Sequence, residues 1–106
     1  ASPDSVRSLP TSAEQEDHNA NAMTAARHTR EIVANTSHVL AIECYTAARA
    51  LDLRLRQNPD VVLGKGTGKA YQTIREKVKY QAGDAWWGPE IDQVKGLIIN
   101  RKLEIL

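Results

Sequence analysis

From about Met23 to Leu55 the chain runs without a single glycine or proline, and alanine, leucine, arginine and glutamate recur throughout. These residues lose little side-chain freedom in a helix, and the two strongest helix breakers are missing. At a rise of ~1.5 Å per residue, a continuous helix over this stretch would approach ~50 Å. No other feature constrains the fold as strongly. The distribution of apolar side chains adds a second constraint. Val33, Ser37, Leu40, Cys44, Ala47, Leu51 and Leu55 recur at three- and four-residue spacing and form one stripe. Ile32, Val39, Ile42 and Tyr45 lie off that stripe, and between Val39 and Ala48 the sole charge is Glu43. A helix that is apolar on most of its sides has to be surrounded by other helices. The rest of a 106-residue chain is too short to surround it, so the pattern points to a larger helical assembly. Glu43, set in this apolar stretch, is expected to find a partner such as an arginine from a neighbouring segment or subunit, because an unpaired buried carboxylate is costly.

The flanks complete an all-α expectation. Residues 1–11 carry Pro3, Pro10 and three serines and read as loop, and the pattern turns helical from Thr11. Pro59 ends the long helix. The run Gly64–Lys65–Gly66–Thr67–Gly68 reads as a loop. It leads into a short helix with Thr67 as N-cap and Tyr71, Ile74 and Val78 on one face. Gly83 and Gly88 bracket a loop carrying Trp86–Trp87, a pair expected to pin that loop onto a core. Pro89 suits the first position of a last helix, with Glu90 and Asp92 in its first turn and Ile91, Val94 and Ile98 on its buried face. No stretch alternates with period two, so no strand is expected. The organisation is one unit, 1–106: a loop over 1–11, an N-terminal active-site segment and long helix over 12–57, and loops with two short helices over 58–106.

Bulk properties narrow the function classes. A net charge of +1 gives no basic footprint for nucleic acid. The lone Cys44 cannot form an internal disulfide. No apolar run approaches the roughly 18 residues that span a bilayer, and no signal peptide is visible. A soluble, reducing, cytoplasmic setting is the expectation. The chain starts at Ala1 without a methionine and has no phenylalanine. It therefore reads as part of something longer, with too little aromatic mass for a well-stabilised core of its own.

The densest polar cluster is Glu14–Gln15–Glu16–Asp17–His18–Asn19. Three carboxylates within four positions repel, and in a partly buried site at least one should be held protonated more readily than usual. Such a group can act as a general base or hold a substrate ammonium. Helix capping accounts for the same residue types: Thr11 to Glu14 and Ser12 to Gln15 are two registers of a capping box. His18, His28 and His38 are ten residues apart, not at metal-ligand spacing, and read as solvated surface histidines with no metal site. The glycine run lacks the glycine a phosphate loop needs at position 63, where leucine stands. No nucleophile elbow occurs.

From Asp4–Ser5–Val6 through Ser8–Leu9–Pro10–Thr11–Ser12–Ala13 and Gln15–Glu16–Asp17–His18, the chain resembles the aromatic amino-acid ammonia-lyases, the histidine, phenylalanine and tyrosine ammonia-lyase family. Ala25–Ala26–Arg27, Val39–Leu40–Ala41–Ile42–Glu43, Ala50–Leu51–Asp52–Leu53–Arg54, Gly64–Lys65–Gly66–Thr67, Ala70–Tyr71, Ile74–Arg75 and Pro89–Glu90–Ile91 continue the resemblance in the family's order. The resemblance implies the C-terminal helical part of a homotetrameric carbon–nitrogen lyase that eliminates ammonia from an aromatic amino acid. It implies a methylidene-imidazolone electrophile made from an internal Ala-Ser-Gly, and a tyrosine base on a mobile loop. Neither comes from this chain, since Ala1–Ser2 is followed by Pro3 and no other Ala-Ser pair occurs. The partners implied are the remainder of the polypeptide, further copies of it, and the amino-acid substrate. The family's active glutamate falls on Glu16 by the histidine-type pattern. By the Ala-Glu-Gln of the phenylalanine type it falls on Glu14, with Gln15 and His18 lining the substrate pocket in either case. An aminomutase on the same scaffold, or a helical oligomerisation module without chemistry, are the alternatives.

Overall fold

The computed structural model describes residues 2–10, 13, 15 and 19–104. After a 3-10 turn at Asp4–Arg7, three helices follow: α1 (Ala22–Gln57), α2 (Lys65–Lys77) and α3 (Gly88–Ile99). The fold is all-α, with a long helix followed by two short ones, and no strand occurs among the described residues. At 36 residues α1 is about 54 Å long, close to the Gly- and Pro-free stretch that defines it in the sequence.

Three local expectations need correction. Thr11, where helix is expected to begin, lies outside the described residues, but the described residues after it are not α-helical before Ala22. Ala13 has φ 54° and Asn21 has φ 48°, both left-handed and outside the helical region, and α1 starts only at Ala22. Gly66, Thr67 and Gly68 are not loop residues. They lie inside α2, whose N-cap is Gly64, so Thr67 caps nothing. The amide of Gly68 donates to the Gly64 carbonyl at 2.7 Å and closes the first turn. The glycines are tolerated because a first turn needs only its backbone, which they supply. Pro89 does sit at the start of α3 as expected, with Glu90 in the first turn.

The chain divides into two compact units, residues 1–35 and 36–106, a boundary that falls within α1. In the second unit the core is apolar. Ala41, Tyr45 and Ala48 from α1 meet Ile74 and Val78 at the end of α2 and Val94 and Leu97 from α3. Cys44, Tyr71, Trp87, Ile91, Ile98 and Leu103 pack against its edge. The buried line of α1 is Ala41, Tyr45, Ala48 and Asp52. It is rotated by one residue, or ~100°, from the stripe read in the sequence. Leu40 and Ala47 on the expected stripe stay exposed, as do Val39, Ile42 and Leu53 beside it. Glu43 is exposed in this single chain, where the sequence led us to expect a buried carboxylate. It lies on the side of α1 turned away from the apolar cluster. Trp87 tilts against Tyr45 with ring centroids 5.8 Å apart, and the Arg49 guanidinium lies 4.2 Å from its ring centre. Trp87 therefore does pin the loop, whereas Trp86 is 84% exposed.

Candidate functional site

Glu14, Glu16 and His18, three of the four residues singled out in the sequence, lie outside the described residues. So do the capping-box positions Thr11 and Ser12. The fourth, Gln15, lies in a turn and is exposed. The structure describes in detail the frame on either side of this strip, which lies wholly in the first unit.

The frame is polar. At the loop's base the Asn19 amide donates to Ser8 Oγ at 2.6 Å. One step further out, Asn21 Nδ2 donates to the Asp4 carbonyl at 3.2 Å. The Asn21 amide also donates to its neighbour's side chain, Asn19 Oδ1, at 3.2 Å. The Asn21 carbonyl accepts the Ala25 amide at 2.9 Å, which joins the base of the loop to the first turn of α1. The Asp4 carboxylate, in a residue only 7% exposed, sits 2.9 Å from Nδ1 of His28. A buried carboxylate without a partner is strongly disfavoured, and His28 is that partner. The imidazole therefore carries its hydrogen on Nδ1, in the neutral tautomer or the charged form. His28 is not the solvated surface histidine expected from the sequence. An open cavity of about 260 Å³ lies beside the pair, walled by Pro3, Ala20, Ala25 and Thr29 among others.

The second unit holds a second polar cluster that sequence reasoning missed. Asp52, also 7% exposed, receives Tyr71 OH on Oδ1 at 2.6 Å and Arg75 Nη2 on Oδ2 at 2.5 Å. Arg75 Nη1 also donates to the Val78 carbonyl at 3.0 Å, where α2 ends. Tyr71 and Arg75 are four apart on α2 and so reach the same carboxylate from one face. The hydrogen bond to Asp52 and, after it, burial hold the Tyr71 hydroxyl above its ordinary pKa. That spacing and the neighbouring Asp52 motif were the available signals. Neither indicates that the three meet. Cys44 offers no nucleophile: burial first, and then the Glu43 carboxylate, push its thiol up and away from the reactive thiolate. Among the described residues no helix is long and apolar enough to cross a membrane.

Polar contacts among Asp4, Ser8, Asn19, Asn21 and His28, ahead of a long helix in an all-α chain, accompany the motif order that implies the lyase class. A family model described as aromatic amino acid lyase matches residues 1–76, and the chain belongs to that family. Among curated proteins it is similar to the histidine ammonia-lyase of Shewanella sediminis, at 46% identity over 94% of this chain and 19% of the relative. It is likewise similar to that of Legionella pneumophila, at 39% over 100% of this chain and 20% of the relative. A third relative is the histidine ammonia-lyase of Chloroflexus aurantiacus, at 38% over 97% of this chain and 20% of the relative. The chain thus spans about a fifth of the length of the relatives it matches.

Proposed function

We propose that this chain works as part of an ammonia-lyase that eliminates ammonia from an aromatic amino acid, and that histidine is the substrate. The observation that carries the choice of substrate is the similarity to several histidine ammonia-lyases, at 38–46% identity across nearly the whole chain. Within the reaction, the carboxylate of Glu16 or of Glu14 holds the substrate ammonium, with Gln15 and His18 beside it. An ionised carboxylate is suited to that role because it attracts the charged amine and accepts its hydrogens. The methylidene-imidazolone of this family supplies an electrophile that activates the substrate for loss of its amino group. This chain does not form it, having no Ala-Ser-Gly, so the electrophile and the base that removes the substrate proton belong to the remainder of the polypeptide. The full enzyme is a cytoplasmic homotetramer in this reading. Apolar side chains exposed along α1, including Val39, Leu40 and Ile42, supply the surface that further helices would cover.

The test uses the full-length polypeptide that carries these residues. Incubation with histidine should give a urocanate absorbance, and phenylalanine and tyrosine should give none or far less. Absence of an ultraviolet-absorbing product from all three would overturn the reading. A β-amino acid product would move it to an aminomutase on the same scaffold. The 106-residue chain alone should turn over nothing. The exposed apolar residues of α1 also favour a second reading, a helical oligomerisation module without chemistry. That reading expects Glu14→Gln and Glu16→Gln to leave turnover unchanged in the full-length enzyme, whereas the lyase reading expects one of the two to abolish it.

A further inference from the structure

We propose that residues 79–87, the connection between α2 and α3, form a latch that opens and closes on α1 as a single unit, apart from the apolar core that it borders. The inference is independent of the substrate reading and belongs entirely to residues 36–106. None of residues 79–87 is buried. Among the described residues, no backbone-to-backbone hydrogen bond involves 79–86. The connection therefore lacks the usual supports, a buried anchor or a backbone ladder. What holds it comes mainly from α1. The Arg56 guanidinium lies 3.8 Å from the centre of the Tyr80 ring, and that of Arg49 lies 4.2 Å from the centre of the Trp87 ring. Between these ends Arg49 Nη2 donates to the Gly83 carbonyl at 3.3 Å. Tyr45 tilts against Trp87, and Gln81 Nε2 donates to Glu90 Oε1 at 3.1 Å.

The spacing makes these contacts act together. Arg49 and Arg56 lie seven residues apart on α1, two turns or ~10.5 Å along one face. They grip the connection at an aromatic residue near each end, and Gly83, with φ 82°, turns the chain between them. A guanidinium over an exposed ring is a weak contact by itself. While one end is closed, however, the other ring is held beside its arginine at a high effective concentration, so each contact strengthens the other. Arg49 serves both the Trp87 ring and the Gly83 carbonyl, which joins the middle of the latch to its end. Opening costs none of the central packing, because Ile74, Val78, Val94 and Leu97 all lie outside residues 79–87. It does free the start of α3, since the Trp87 carbonyl accepts the Ile91 amide at 3.0 Å. It also uncovers one side of Tyr45, which is 5% exposed with the latch closed.

The experiment is limited chymotrypsin digestion of the native full-length protein, with fragments identified by mass. Cleavage after Tyr80 and after Trp86 reports opening at the two ends of the latch. Arg49→Ala and Arg56→Ala should each speed cleavage at both sites, by about three- to tenfold, while Tyr45 and Tyr71 in the helices stay uncut. Faster cleavage after Tyr80 alone in the Arg56 variant, and after Trp86 alone in the Arg49 variant, would mean two independent contacts and overturn the latch. Rates equal to those of the unaltered protein would overturn it as well. Gly83→Ala tests the same closure without touching either arginine. A Cβ at position 83 meets no atom within 4 Å, so the substitution penalises the left-handed backbone alone. Both sites should then be cut about five- to tenfold faster, and unchanged rates would reject the proposal. Should an arginine variant fail to fold, cleavage after Tyr45 and Tyr71 rises with the rest, and the glycine variant decides.

Discussion

The two units of this chain are held by different physics. In residues 36–106 seven apolar side chains are buried together, and one charged residue, Asp52, is buried with them on a tyrosine and an arginine. In residues 1–35 the one buried residue among those described is an aspartate, and the contacts around it are hydrogen bonds and a close approach to His28. An apolar core resists local opening because many contacts must be lost at once, whereas a polar frame can open link by link. The unit carrying the candidate substrate strip is thus the one whose shape depends on a few directed bonds. The unit without it supplies bulk stability.

This contrast can be broken or sharpened by substitution. Arg75→Ala should have the largest effect on stability. It strands a buried carboxylate, and about 3–5 kcal/mol should disappear from the unfolding free energy in a denaturant titration. A near-neutral result would mean that the second unit does not depend on its polar cluster. Ile74→Ala should cost about 2–5 kcal/mol by the same measurement, since the side chain is 4% exposed at the centre of the apolar cluster. Next comes Tyr71→Phe, at about 1.5 kcal/mol for a hydrogen bond to a carboxylate, together with a change in pH dependence. The folded state holds the Tyr71 hydroxyl above its ordinary pKa of about 10. Its contribution is therefore fully present below about pH 10 and is lost as pH rises through the higher folded value. Alkaline denaturation curves of the Phe variant should lack that component, and identical curves would remove Tyr71 from the account. The smallest effect belongs to the first unit. Ala13 holds a left-handed backbone at φ 54°, so Ala13→Gly should relieve up to about 1 kcal/mol of local strain. It should slow hydrogen exchange near the loop while leaving the main unfolding transition in place.

What the sequence made legible followed from composition and period. The helix former-rich stretch became α1 almost to the residue, and Pro89 opened α3. Tyr71, Ile74 and Val78 do share a face toward the core. The errors share a cause. The phase of α1 was read one residue off because the flanking stripe is equally apolar. Partners distant in sequence, Asp52 with Arg75, decide which line turns inward, and such partners leave no periodic trace. Helix is expected before Ala22 because alanine, glutamate and glutamine upstream are good helix formers, and nothing local shows that Asn21 turns left-handed. For the same reason the polar pair at Asp4 and His28 could not be read, although Asp4 stood within a motif already noted. The strip at Glu14 and Glu16 was legible only through motif order, and its own geometry lies outside the described residues.

Asn21 has a consequence for how the chain can vary. Its left-handed backbone, φ 48°, suits glycine, asparagine or aspartate, while its link to Asp4 needs a side-chain N–H donor. Glycine would keep the angle and lose the donor, and aspartate would do the same, so asparagine alone meets both demands. Helix growth from α1 toward the amino terminus halts there, however strongly the preceding residues favour it. The register of α1 is consequently set from Asn21 onward.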